Sequence, residues 1–189
     1  MTKIGVIGAG AWGTALACAT LRAKNDILIQ AHEPEVANEI NQFHTNKTYL
    51  DGVSLNPALK ATSHLEDLQD RDILLMVAPA QHVRAISRVI RPLVKKGTPL
   101  LICAKGIELN SGLLMSEVIQ EELPDVDIGI LSGPTFAIEL AKEIPTACTL
   151  AMHTMERAME LANDIGSHCF RIYASDDVIG SQIGGAVKN

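Results

Sequence analysis

The sequence predicts an α/β protein built on a doubly wound, mostly parallel sheet with helices on both faces. Three observations lead there. Short, nearly unbroken apolar runs recur along the chain, as strands read when both their faces are buried. Longer segments with apolar residues at helical spacing lie between them. The first strand-like run passes into the first helix-like one through a glycine-rich turn, Gly8-Ala9-Gly10-Ala11-Trp12-Gly13. Strands joined by helical crossovers return to the same end of a sheet, so they emerge parallel.

Each element can be justified in order. Lys3 to Gly8 reads as a strand, and Trp12 to Lys24, rich in Ala and Leu, as a helix. Asp26 to Ala31 is a second strand, followed by a helix from about Glu35 to Phe43. Asn46 to Pro57 places Asn, Asp, Gly and Pro close together and reads as a loop. Asp72 to Val77 is a buried strand that stops at Ala78-Pro79. From Gln81 to Lys95, the apolar positions Val83, Ile86, Val89, Ile90 and Leu93 predict a helix. Pro99 to Cys103 is a strand and Gly112 to Glu122 a helix. Asp127 to Leu131, Ala147 to Ala151 and Phe170 to Tyr173 are later strands, with a helix from Met155 to Gly166 between the last two. Ser175-Asp176-Asp177 reads as a helix start. The helix it opens runs to Lys188-Asn189 without a terminator, so the expectation is a chain cut within a helix.

Composition narrows the function. With 189 residues the chain can bury roughly 70% of its unfolded surface, enough to fold without a disulfide or metal. Sixteen Lys and Arg against 22 Asp and Glu give a net charge of −6 without a basic block, which argues against nucleic-acid binding. No apolar run approaches the ~20 residues that span a bilayer, and no signal peptide is expected before the first strand. Cys18, Cys103, Cys148 and Cys169 are scattered through apolar segments and read as small hydrophobes in a reducing, cytoplasmic setting. The six histidines lack paired ligand spacing, so no metal is assigned; His44, His64, His82, His153 and His168 read as surface or structural residues.

The chemistry-bearing residues fall at strand ends. Gly8, Gly10 and Gly13 follow a strand and open a helix, the context in which GxGxxG marks a Rossmann-like dinucleotide site. Gly8 permits the tight turn, Gly10 the approach of a pyrophosphate, and Gly13 close packing of helix on strand. After the second strand, an acidic residue would bond the ribose 2′-hydroxyl and repel a 2′-phosphate. His32 stands there, followed by Glu33. The histidine tolerates a phosphate and tips the balance toward NADP, whereas Glu33 argues for NAD; a helix-capping role suits either equally. NADP(H) and NAD(H) therefore both stay open. Lys105 follows an apolar strand where the ligand crevice opens, a place equally natural for a solvated lysine. Ser132 to Ala137 forms a second strand-to-helix turn suited to hydroxyl or phosphate oxygens, or to plain capping. Gly184 and Gly185, inside the last helix, imply that something approaches it closely.

Four runs carry a resemblance: Gly8-Ala-Gly-Ala-Trp-Gly-Thr-Ala15, Ala104-Lys105-Gly106, Leu131-Ser-Gly-Pro-Thr-Phe-Ala137 and Gly184-Gly-Ala-Val-Lys-Asn189. In order and content they resemble the bacterial NAD(P)-dependent glycerol-3-phosphate dehydrogenase family across the whole chain. The resemblance implies interconversion of dihydroxyacetone phosphate and sn-glycerol 3-phosphate, for glycerophospholipid biosynthesis, by a cytoplasmic homodimer. It implies cofactor contacts at Ala11, Trp12, His32, Tyr49, Lys105 and Ala137. Substrate contacts fall on Lys105, Gly133, Thr135 and Lys188, with Asn189 beside them; Lys188 moves the proton and Lys105 assists. Family members often carry Ser where Ala11 stands, which leaves only the backbone N–H. On this reading residues 1–175 form the dinucleotide-binding domain and 176–189 lead into a helical second domain, and these 189 residues alone are inactive. Two alternatives are a stand-alone dinucleotide-binding module and a related two-domain hydroxyacid or ketoacid reductase.

Overall fold

The computed structural model describes residues 1–187. Its strands are β1 (Lys3–Ile7), β2 (Asp26–Gln30), β3 (Lys60–Thr62), β4 (Ile73–Met76), β5 (Pro99–Ile102), β6 (Asp127–Ser132), β7 (Thr146–Met152) and β8 (Phe170–Ser175). Its helices are α1 (Ala11–Arg22), α2 (Pro34–Phe43), α3 (Val83–Ile90), α4 (Met115–Glu122), α5 (Ala137–Ala141), α6 (Met155–Ile165) and α7 (Val178–Val187). They build one sheet in the order β3-β2-β1-β4-β5-β6-β7-β8.

Alternation along each strand divides the core in two, because successive side chains leave a strand on opposite faces. Ile4 and Val6 of β1, Leu75 of β4 and Leu101 of β5 join Leu16 of α1, Leu140 of α5 and Leu161 of α6 on one face. Ile7, Leu74, Met76, Leu100 and Ile102 join Val83 of α3, Val118 of α4 and Val178 of α7 on the other. All four cysteines are buried free thiols within this packing.

Three features depart from the sequence expectation. The strand β3 went unseen: its three residues, Lys60, Ala61 and Thr62, lie at the sheet edge with none fully buried. The expected helix from Gln81 to Lys95 is shorter, a tight 3-10 turn at Ala80–His82 followed by α3. The sheet also changes direction once, with β7 antiparallel to β6 and β8 parallel to β7. The cause is α5. Its five residues rise only ~8 Å, too little to carry the chain back along a six-residue strand of ~20 Å. Arg22 of α1 closes that helix, donating to the carbonyls of Leu140 (3.0 Å) and Ala141 (2.5 Å).

After β8, the Asp177 carboxylate accepts the Gly180 N–H (2.8 Å), so the predicted helix start is present. The helix α7 then packs along β6 and β7.

Candidate active site

Strand order reverses between β1 and β4, and the carboxyl ends of these strands open onto a cleft of about 1000 Å³. Such switch points are where doubly wound sheets hold their ligands. The three glycines at the end of β1 do three different jobs there. Gly8 has φ +107°, and an added Cβ would lie 3.2 Å from the Val77 carbonyl carbon, so both conformation and space exclude a side chain. A Cβ on Gly13 would overlap the Gly8 carbonyl oxygen, which brings α1 hard against the turn. Gly10 has φ −65°, open to any residue, and its Cβ would meet no atom within 4 Å. Nothing in the chain's own packing requires glycine at position 10, which leaves the backbone there open to the cleft.

The helix start there is left bare. The first helical bond runs from Thr14 N–H to the Gly10 carbonyl (2.9 Å), so earlier amides project from the helix end. No side chain caps this end and its first turn contains no acid. A twelve-residue helix presenting free amides and its positive dipole end to a bare cradle fits the pyrophosphate of a dinucleotide.

At the other side of the cleft, the expected ribose readers follow β2. His32 is exposed and Glu33 partly buried, and both line the cleft. Glu33 occupies the N-cap position of α2, but its side chain makes no capping bond. It accepts instead from the Tyr49 hydroxyl (2.9 Å), a bond to a carboxylate that raises the phenol's pKa. The capping alternative therefore does not hold for the Glu33 side chain. Sequence reasoning missed the residue that seats Tyr49. Asn46 is wholly buried, and its amide nitrogen donates to the Ala9 carbonyl and to Thr14 Oγ1, both at 2.9 Å. The only available signal was an Asn in a loop, three and four residues before Tyr49 and Leu50.

On the wall opposite, Lys105 follows β5 and its ammonium donates to the Gly133 carbonyl (3.1 Å). Thr135, Phe136 and Ala137 line the same cleft, but Gly133 itself is not part of the lining. A Cβ on Gly133 would lie 2.9 Å from the Ala147 carbonyl oxygen and from Cys148 Cα, so its glycine is explained by packing against β7. The turn opens a helix of only five residues, α5, so any oxygen it receives meets a short helix start. Thr135 Oγ1 lies 3.6 Å from Cys148 Sγ. Cys103 also lines the cleft, and burial pushes its thiol up.

The close approach expected at the tail is found at Gly185, whose Cβ would sit 2.9 Å from Ser132 Oγ and 3.6 Å from Lys105 Cγ. Gly184 has open space. Gln182 anchors α7 to α4, accepting from Ser116 N–H (2.9 Å) and donating to Ser116 Oγ (2.8 Å). Lys188 and Asn189 lie outside the described residues. Of the other named residues, Gly8, Gly10, Ala11, Trp12, Gly13, His32, Tyr49, Lys105, Thr135 and Ala137 converge on one cleft.

A doubly wound sheet with a bare phosphate turn at its switch point defines an NAD(P)-binding domain. The chain belongs to the NAD-dependent glycerol-3-phosphate dehydrogenase family, whose N-terminal model matches residues 3–158. It is 51% identical over its full length to glycerol-3-phosphate dehydrogenase [NAD(P)+] of Paramagnetospirillum magneticum, covering 69% of that protein. With the Rhodospirillum rubrum enzyme of the same name it shares 50% identity, covering 98% of this chain and 54% of the relative. The crystal structure of glycerol-3-phosphate dehydrogenase from Coxiella burnetii superposes with a TM-score of 0.90 at 30% identity, over 97% of this chain and 57% of that one. The chain thus spans between about half and two thirds of its relatives' length. A ketopantoate reductase from Ralstonia eutropha, at 16% identity and a TM-score of 0.70, shares the fold alone. No helix among the described residues is long and apolar enough to cross a membrane.

Proposed function

We propose that this chain is the cofactor-binding part of an enzyme that interconverts dihydroxyacetone phosphate and sn-glycerol 3-phosphate with NAD(P)H. The observation that carries the reading is the Gly10 cradle, open at a bare helix start and sharing its cleft with Lys105. When bound, the reduced nicotinamide supplies hydride to the substrate's carbonyl carbon.

Gly8, Gly10 and Gly13 shape the pyrophosphate seat, with the amides of Ala11 and Trp12 at its edge; His32, Tyr49 and Ala137 line the remaining wall. Lys105, fixed by the Gly133 carbonyl, places positive charge at the reacting end and stabilises negative charge developing on the carbonyl oxygen. Lys188 delivers the proton that completes the alcohol and takes it back in the reverse direction. Gly133, Thr135 and Asn189 complete this part of the substrate site. Residues 1–175 form the cofactor domain, and 176–189 begin the connection to a helical second domain that completes phosphate capture. The whole protein is a cytoplasmic homodimer, a setting in which four buried free thiols stay reduced.

Calorimetry with NADH and NADPH on these 189 residues tests the binding half. Cofactor oxidation dependent on dihydroxyacetone phosphate, compared between this chain and a full-length protein, tests the rest. Binding without turnover here and turnover at full length is expected. Substantial turnover by the 189 residues alone would refute the divided site.

A further inference from the structure

Two ends of the cleft are joined by a loop whose buried anchor has no part in the chemistry above. Asn46 is 0% exposed although it lies in an irregular segment. Its amide nitrogen donates to the Ala9 carbonyl, between the two glycines that shape the phosphate seat, and to Thr14 Oγ1, which itself donates to Ala9 O (3.2 Å). Its amide oxygen accepts the Tyr49 N–H (3.3 Å) and its backbone carbonyl accepts the Leu50 N–H (2.8 Å). The same loop is tied to α2 by Glu39, which accepts from Thr45 Oγ1 (2.7 Å) and Lys47 N–H (3.0 Å). Tyr49 then reaches across to Glu33 (2.9 Å). Burying an amide is costly unless its bonds are made. Here they are made, and every one points at the turn or at the loop carrying Tyr49.

We propose that Asn46 is a positioning residue for cofactor discrimination. Its amide locks the loop onto the phosphate turn and so holds, through Tyr49, the Glu33 carboxylate at the ribose 2′ position. The inference rests on the dinucleotide reading of the cleft. Glu33 follows Gly13 by 20 residues, the interval at which an acid meets the ribose in this fold. A carboxylate fixed there accepts from a 2′-hydroxyl and repels a 2′-phosphate; released, it swings into solvent and discriminates less.

The test is calorimetric titration of the 189-residue chain with NADH and, separately, NADPH, for wild type, Tyr49→Phe, Asn46→Ala and the double variant. Tyr49→Phe should shift the ratio of the two affinities toward NADPH by about tenfold. Asn46→Ala should weaken both cofactors by about tenfold, shift the ratio the same way, and add no further shift in the double variant. A merely structural asparagine would lower both affinities together at constant ratio, and that result overturns the proposal. Tyr49→Phe removes only a half-exposed hydroxyl, so it reads the ratio even if Asn46→Ala fails to fold; an unchanged ratio there also overturns it. Wild type binding neither cofactor would overturn the dinucleotide reading itself, a distinct result.

Discussion

Two strand-to-helix turns face the same cleft, one after β1 with three glycines and one after β6 with a single one. In the first, Gly10 has nothing within 4 Å of its missing side chain; in the second, Gly133 is pressed against the backbone of β7 at 2.9 Å. The first opens a helix of twelve residues, the second one of five. Glycine therefore means different things in the two places. Where a Cβ would meet only open space in an ordinary conformation, folding does not demand glycine, and at position 10 the proposed dinucleotide site supplies the reason. Where it would meet the chain itself, the residue is shaped by folding.

The largest effect expected from this distinction lies within the first turn. Gly13→Ala drives a methyl into the Gly8 carbonyl, a backbone atom that cannot rotate away. The loss should be ~3 kcal/mol or more, lowering Tm by about 10 °C in thermal melts. A variant melting like wild type would mean that α1 can slide, and the turn is not rigid. Next comes Gly10→Val, which should leave Tm within about 2 °C while weakening NADH and NADPH by about 100-fold, ~2.7 kcal/mol. Unchanged affinity in the folded variant would remove the pyrophosphate from this turn. Gly133→Ala should do the reverse, costing about 2 kcal/mol of stability with a smaller effect on cofactor affinity. Equal outcomes at positions 10 and 133 would break the comparison.

The same contrast explains what was legible in the sequence. The β1–α1 turn was readable because local spacing alone defines it: a strand, GxGxxG, then a helix rich in Ala and Leu. The parallel strands β1, β2, β4, β5 and β6 were readable from their apolar runs, whereas β3, three partly exposed residues at the sheet edge, was not. The turn of direction at β7 was not, since it depends on α5 stopping after five residues, and Arg22, more than a hundred residues earlier, closes it. Asn46 was invisible for a related reason. A buried polar residue in a loop leaves no periodic trace, and its partners Ala9 and Thr14 lie over thirty residues away. Lys105 could be placed at the cleft from sequence, but its tether to Gly133 joins two different strand ends.

A third strand end, after β5, sharpens the comparison and carries the smallest expected effect. Gly106, at φ +145°, lies close on Ala80, but no long helix start holds the segment beyond Lys105. Arg84 of α3 does, through a two-pronged pair with Glu108 (2.9 Å at both contacts) and bonds to Glu121 and Glu122 of α4 (2.7 Å each). The Arg84 guanidinium, with help from the Ser111 hydroxyl, holds the Glu108 carboxyl at about 2, against an ordinary 4.5. A carboxylate whose pKa is depressed on folding adds stability that is complete above its unfolded value and fades as pH falls toward its folded one. The contribution of this pair should therefore be constant at neutral pH and decline between about 4.5 and about 2. The measurement is the difference in Tm between wild type and Glu108→Gln as pH is lowered. A gap present at pH 7 that closes on acidification is expected. The glycine turns carry no titrating group, so the gap between wild type and Gly133→Ala should stay level over the same range. A Glu108→Gln gap that is equally level would show that the pair adds no charge-dependent stability, and that packing holds this strand end as it holds the turn after β6.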